Sequence, residues 1–265
     1  MATQIDPRAV VSPHAELGEN VTVGPFTIIE ENVTIGPGTR VGSHAVIASG
    51  TRVGKDCTVH PGAVLGTIPQ DLKFHGEATT LEVGDGTVVR EYATLNRGTE
   101  DRWKTVVGTN CLVMAYVHIA HDCIIGDHVI LANAVNMGGH VTIEEYSIVG
   151  GITPIHQFVT IGRHAMIGGG FRVAKDVPPY VLAGQYPLSF EGLNIVGLKR
   201  HNFSRESIDS LEKAYNFIYS SNLNVSQAIS RIKSEVPMTA EVQHVVQFIE
   251  NSKRGIIGPR RSERR

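Results

Sequence analysis

Along the first two thirds of the chain an aliphatic side chain returns every sixth residue. Counting from Ile5, the positions Val11, Leu17, Val23, Ile29, Ile35, Val41, Ile47, Val53, Val59 and Leu65 keep step. The count resumes at Val83, Val89 and Leu95, and runs again from Val107 to Val173. Of the 29 positions in this register from 5 to 173, 26 are aliphatic; Asp71, Glu77 and Asp101 are the exceptions. A period of six suits neither an amphipathic helix, at about 3.6, nor a plain alternating strand, at about 2. It matches the hexapeptide repeat of a parallel β-helix, whose short strands form the flat faces of a prism. Three faces give coils of about 18 residues, each rising about 4.8 Å as neighbouring strands do. The aliphatic residue points inward. A second inward position four residues later should be small, and Ala15, Val21, Val33, Ala45, Cys57, Ala63, Cys111 and Cys123 occupy it. Glycine often follows the aliphatic residue, consistent with turns at the prism corners.

Two stretches interrupt the count: "GTIPQDLKFHGEATTLE" (66–82) and "RGTEDRWKT" (97–105). Both should leave the prism as loops, and loops on a rigid scaffold often carry function. The repeats stop at "KDVPPYVLAG", where Pro178 and Pro179 are expected to end strand pairing. Beyond about residue 190 the pattern turns helical, with Ser204, Asn224 and Thr239 as N-caps. The expected organisation is a prism over residues 1–187 and a small helical domain over 188–265. An open prism end and three short amphipathic helices all need partners, which points to an oligomer.

Composition narrows the function classes. The 265 residues carry a net charge of −2 and a pI of about 6.6, so no global attraction to nucleic acid or anionic membrane is expected. The basic tail "KRGIIGPRRSERR" is expected to be a solvated, frayed end. No apolar run is long enough to span a membrane, and the N-terminus lacks the layout of a secretory signal. A cytoplasmic protein is therefore expected. Three cysteines do not make a disulfide scaffold, and all three fall in the small inward slot as buried hydrophobes.

The candidate chemistry lies in "VHIAHDC" (117–123). The 18-residue coil puts His121 under Gly139 and Gly139 under Gln157. Asp122 lies under His140 in the next column, and Ala120, Gly138 and His156 stack in the column on the other side. None of these is an inward slot, so their side chains should project outward, with His118 nearby. A metal site would need three or four converging ligands, which His-x-x-His on a β-helix does not itself supply, so no metal is expected. A merely solvated edge would be an odd concentration of imidazole. An acid–base site fits the parts. Imidazole can accept a proton near neutrality, Asp122 can fix its tautomer, and a Gly139 N–H can meet a developing oxyanion. No serine or cysteine stands in the column as a nucleophile, so direct attack by a substrate hydroxyl is the natural chemistry.

The motifs "QDLKFHGE" (70–77), "NRGT" (96–99), "HIAHDC" (118–123), "GGHV" (138–141), "GGITPIHQF" (150–158), "KDVPPYV" (175–181) and "NIVGLKRHNFSRE" (194–206) go further. Over almost its whole length the chain resembles the acyl-carrier-protein-dependent UDP-N-acetylglucosamine O-acyltransferases of lipid A biosynthesis. The resemblance implies a mainly β fold, a left-handed parallel β-helix followed by a small C-terminal α-helical domain. It implies transfer of a 3-hydroxyacyl chain from an acyl carrier protein thioester to the sugar 3-hydroxyl, with no cofactor. His121 would be the general base, Asp122 its orienter and the Gly139 N–H the oxyanion donor. Asp71 and Lys73 would contact the sugar nucleotide, and His118, His140, His156 and Gln157 would line the cleft. Asn194 and Arg200 would reach the nucleotide or its phosphates. Gly169 would leave room for a long acyl chain. The family forms homotrimers with the site between prisms, so the loop around Asp71 would meet a cluster on another prism. Lys199, Arg200 and Arg205 could meet an acidic carrier protein.

Asn96 departs from the family's "HRGT", Val196 from the acidic residue of "NIEG", His201 from a frequent second arginine, and "GFR" (170–172) from the common "CSG". These departures touch the nucleotide contacts and the chain length. The alternatives are the related sugar N-acyltransferase, whose extra domain precedes the repeats, a coenzyme-A-dependent sugar acetyltransferase, and a non-catalytic repeat scaffold.

Overall fold

The computed structural model describes residues 2–260. Parallel strands, most of them two residues long, stack into three sheets of twelve, eight and eight strands. Up to strand Met166–Ile167, consecutive strands lie in different sheets, and pairing runs from each coil to the next. Val113 opposes Leu131, Leu131 opposes Val149, and Val149 opposes Ile167. The coils wind left-handed, making a left-handed parallel β-helix.

Two steps are longer than 18 residues. Val53 opposes Val83, and Val83 opposes Val107. The surplus is two hexads in the first step and one in the second, matching the three slots that break the aliphatic count. The excursions themselves are shorter than the sequence suggests. Strands Val64–Thr67 and Thr80–Val83 confine the first to 68–79, and Thr94–Asn96 and Lys104–Val107 confine the second to 97–103.

The inward aliphatic residues are buried through the middle of the prism, among them Ile47, Leu65, Leu95, Ile119 and Ile143. Each contributes about 1.5–3 kcal/mol by leaving water. The small slot holds Ala45, Ala63 and the three free, buried cysteines. Burial pushes the Cys111 and Cys123 thiols up to about 11 and 12.

The glycine after the aliphatic residue mostly serves close approach and not a left-handed turn, Gly66 with φ of 81° being an exception. A Cβ on Gly36 would lie 2.6 Å from the Gly54 carbonyl carbon of the next coil. The left-handed conformation falls two residues later, mostly on other residue types: Asn20, Asp122, His140 and Ile152 have φ between 57° and 63°. Planar residues at these corners stack coil upon coil, as His128, Tyr146 and His164 do with centroids 4.6 and 4.8 Å apart.

Pro178 and Pro179 do not end the sheet. They sit at a corner where the flanking residues carry the ladder: the Val177 carbonyl accepts from Gly162 N–H, and Tyr180 N–H donates to the Arg163 carbonyl. Strand Val181–Gly184 then continues in parallel from Met166–Ile167 and turns back antiparallel as Ser189–Leu193.

Four helices follow: α1 (Ile195–Arg200), α2 (Arg205–Tyr219), α3 (Val225–Glu235) and α4 (Ala240–Asn251). Ser204, Asn224 and Thr239 cap the last three as expected, accepting from the N–H groups of Ser207, Gln227 and Val242. Helix α1 is additional. The tail is not frayed over its described part. Ile257 is buried and its N–H donates to the Asp176 carbonyl, while Gly258–Pro259 pairs with Ser189–Leu193. Two adjacent isoleucines, hidden in a basic stretch, supply the apolar surface; residues 261–265 lie outside the described residues. No described helix is long and apolar enough to cross a membrane.

Candidate active site

Strand His118–Ile119 pairs with Thr94–Asn96 below and Asn136–Met137 above, and the latter with Pro154–Ile155. The corner after this face carries the stack expected from the 18-residue coil. His140 N–H donates to the His121 carbonyl and Phe158 N–H to the Gly139 carbonyl, both at 3.1 Å. Gly139 leaves the space its neighbour fills: a Cβ there would lie 2.5 Å from His121 Cε1.

Asp122 does not project outward into solvent. It is fully buried, because the excursion 97–103 folds over it. Thr99 donates its N–H to Oδ1 at 3.0 Å and its hydroxyl to Oδ2 at 2.6 Å. Arg102 adds its N–H to Oδ1 at 3.3 Å and its guanidinium to the Asp122 carbonyl at 2.8 Å. His121 Nδ1 lies 2.8 Å from Oδ2. Burial alone would raise the carboxyl pKa, but the hydrogen bonds from His121 and Thr99 outweigh it and bring it to about 2. An ionised carboxylate only accepts, so Nδ1 of His121 carries the hydrogen, and in the neutral ring Nε2 then holds the lone pair.

That imidazole opens on a cavity of about 560 Å³, also lined by Gln70, Thr94, Tyr116, His118, Gly138, Gly139 and Gln157. Among the described residues the Gly139 N–H has no acceptor. His118 Nδ1 is 2.8 Å from Thr94 Oγ1; burial, and then the neighbouring His121, lower its pKa. His140 backs the carboxylate and does not line the cavity. Its ring stacks on Phe158 and meets His121 edge-on at 5.2 Å, with Nε2 3.8 Å from Asp122 Oδ2. Burial lowers its pKa, against the pull of Asp122. His121, Asp122 and His140 are the one such trio among the described residues whose potential metal-ligand atoms lie within 4.8 Å of one another. Both Asp122 oxygens already accept hydrogen bonds, from Thr99, Arg102 and His121, while His140 Nε2 at 3.8 Å stands beyond hydrogen-bond reach.

The first excursion reaches the cluster of its own chain. Asp71 Oδ2 lies 3.9 Å from His121 Nε2, although 50 residues separate them. A solenoid compresses that distance: the excursion leaves strand Val64–Thr67, which is only two strands below His118–Ile119 in the same sheet. No second prism is needed for this meeting.

Lys73, His156, Gly169, Asn194 and Arg200 do not line the cavity. Lys73 sits in a turn, its N–H bonded to Asp71 Oδ1, and His156 Nδ1 lies 3.1 Å from the Gln157 carbonyl oxygen. Gly169 follows strand Met166–Ile167, in a different sheet from His118–Ile119, and stacks on Gly151. Asn194 caps α1, accepting from Gly197 N–H and donating to the His164 carbonyl; Arg200 ends that helix. Sequence reasoning gave no role to Thr99 or Arg102. The signal was Thr99 itself, a turn-forming residue at the mouth of an interruption.

The bacterial transferase hexapeptide model matches residues 32–67 and 104–139, and the UDP-N-acetylglucosamine O-acyltransferase domain 2 model matches 176–257. A protein of Chlorobaculum parvum named acyl-[acyl-carrier-protein]–UDP-N-acetylglucosamine O-acyltransferase is 53% identical over 254 residues, 96% of each chain. This chain belongs to that acyltransferase family. A relative of the same name from Sulfurihydrogenibium is 52% identical over 99% of this chain and 97% of its own. The crystal structure of a UDP-N-acetylglucosamine acyltransferase from Bacteroides fragilis superposes with a TM-score of 0.93 at 44% identity, covering 95% of this chain and 99% of that one. The chain is thus an acyltransferase on a hexapeptide prism.

Proposed function

We propose that this acyltransferase moves a 3-hydroxyacyl chain from an acyl carrier protein thioester to the 3-hydroxyl of UDP-N-acetylglucosamine, the first step of lipid A biosynthesis, with His121 as general base. The supporting observation is the 2.8 Å contact from His121 Nδ1 to a fully buried Asp122. It leaves Nε2 as the basic atom facing the cavity. There Nε2 takes the proton of the sugar hydroxyl as its oxygen attacks the thioester carbonyl. The ionised Asp122 stabilises the imidazolium that forms. The oxyanion of the tetrahedral intermediate meets the free Gly139 N–H. Collapse breaks the C–S bond, and the imidazolium returns its proton to the departing sulfur. The product is an ester, and no nucleophile on the protein is required.

Asp71 approaches Nε2 closely enough to hold a hydroxyl of the sugar bound there. Lys73, His156, Gly169, Asn194 and Arg200 would join the site only across an interface between prisms, which is the proposed role of a homotrimer. Gly169 would then leave the far end of the acyl groove open to long chains. The test is mass spectrometry of products from UDP-N-acetylglucosamine and a panel of acyl carrier thioesters, for the native protein and His121→Ala. A folded His121→Ala protein with activity down by at least about 10²-fold is expected; retained turnover ends the general-base role. A preference for ten carbons over fourteen refutes the glycine argument.

A further inference from the structure

We propose that Thr99 is a positioning residue that sets the tautomer of His121 by holding the Asp122 carboxylate in one orientation; this rests on reading His121 as the proton acceptor. Torsion about the last bond of an aspartate is soft, so burial by itself does not fix the plane in which the carboxylate meets the imidazole. Thr99 fixes it by gripping both oxygens, with N–H to Oδ1 and Oγ1–H to Oδ2. Oδ2 is the same atom that His121 Nδ1 reaches.

The threonine hydroxyl is itself aimed. It accepts from Asp101 N–H at 3.3 Å, which turns its hydrogen toward Asp122. Its backbone is fixed too: the Thr99 carbonyl accepts from Trp103 N–H at 2.7 Å, and Gly98 N–H donates to the Thr80 carbonyl at 3.1 Å. Thr99 is almost wholly buried, so water does not compete for the carboxylate. Asp122 N–H in turn donates to Thr105 Oγ1 at 2.8 Å, which anchors the corner from the other side. The interruption 97–103 therefore acts as a clamp whose working atom is one hydroxyl, two groups away from the substrate.

If the hydroxyl is removed, Oδ2 keeps only His121, and the carboxylate can rotate. A less constrained imidazole favours the Nε2–H tautomer, which cannot accept the substrate proton. The experiment combines steady-state kinetics with ¹⁵N imidazole spectra of Thr99→Val and Thr99→Ser, with the His121 resonance assigned by its loss in His121→Ala. In Thr99→Val the Nε2–H tautomer should grow and kcat fall about tenfold, with KM for both substrates within about twofold. Thr99→Ser should restore both. A Thr99→Val protein with native tautomer overturns the proposal, whether or not kcat falls, because a purely structural role leaves the tautomer alone. Should valine not fold, Thr99→Ala removes the hydroxyl without adding bulk. An active His121→Ala protein alongside a shifted tautomer in Thr99→Val would sink the general-base reading and leave the clamp standing.

Discussion

Asp122→Asn changes one atom type in a site whose donors are already assigned. Oδ1 faces two backbone N–H groups, from Thr99 at 3.0 Å and Arg102 at 3.3 Å. The amide oxygen must take that position, since an NH₂ there would meet two donors. The NH₂ is then directed at His121 Nδ1 and Thr99 Oγ1. His121 can meet it only by accepting at Nδ1, which moves the hydrogen to Nε2 and removes the base. The lost charge-assisted hydrogen bond is worth about 1.5–3 kcal/mol. Losing the carboxylate beside a forming imidazolium adds a Coulomb penalty of a few kcal/mol at the effective dielectric of about 20 that suits buried sites as well as surface ones. Together they raise the barrier by about 3–5.5 kcal/mol, so kcat should fall between about 10² and 10⁴-fold with KM little changed. Initial rates of acyl transfer, followed by mass spectrometry, read this directly. A variant within about fivefold of native kcat would refute the tautomer argument. The same carboxylate gives a stability signature. Its pKa is depressed in the fold from the ordinary 3.8 to about 2, so its contribution, roughly 2 kcal/mol, is present above pH ~4 and lost as pH falls through ~2. Asp122→Asn should lack that acid-range loss in denaturant titrations.

Two further substitutions probe the coil geometry. Gly139→Ala should fold but push the His121 ring off Asp122, because the new Cβ would lie 2.5 Å from Cε1; kcat should drop at least about tenfold, and an unchanged kcat would mean the ring has room the structure does not show. Ile152 holds φ at 57° while 74% exposed, and a β-branched residue there costs roughly 1–2 kcal/mol. Ile152→Asn should raise the melting midpoint by about 2–4 °C; a lower midpoint would show that another surface buries the isoleucine.

The prism was legible because one residue in six must face a narrow core, and a mis-set residue cannot hide in so thin a section. The stack of His121, Gly139 and Gln157 followed from the same arithmetic. What the arithmetic could not supply was the path of segments outside it. The closure of 97–103 over Asp122 depends on a threonine hydroxyl and backbone N–H groups, which carry no periodic signal. Asp122 therefore looked like a surface residue. An Asn ahead of a short helical run also reads as an N-cap, and Asn194 caps α1 in the fold. Pro178 and Pro179 looked like terminators because their pairing positions were unknown. The isoleucines of the tail were masked by the cations around them.

The longer steps at Val83 and Val107 each exceed one coil by whole hexads, and this restricts how the molecule can change length. Removing six residues from a regular coil between His121 and Gly139 would rotate everything downstream by one face. Glycine 139 would then stand at a different edge from the imidazole, with every inward side chain still correctly inward. Such a shortened protein could pack as well as the parent and have no catalytic centre at all. Packing and chemistry thus count in different units along this chain, the former in sixes and the latter in eighteens.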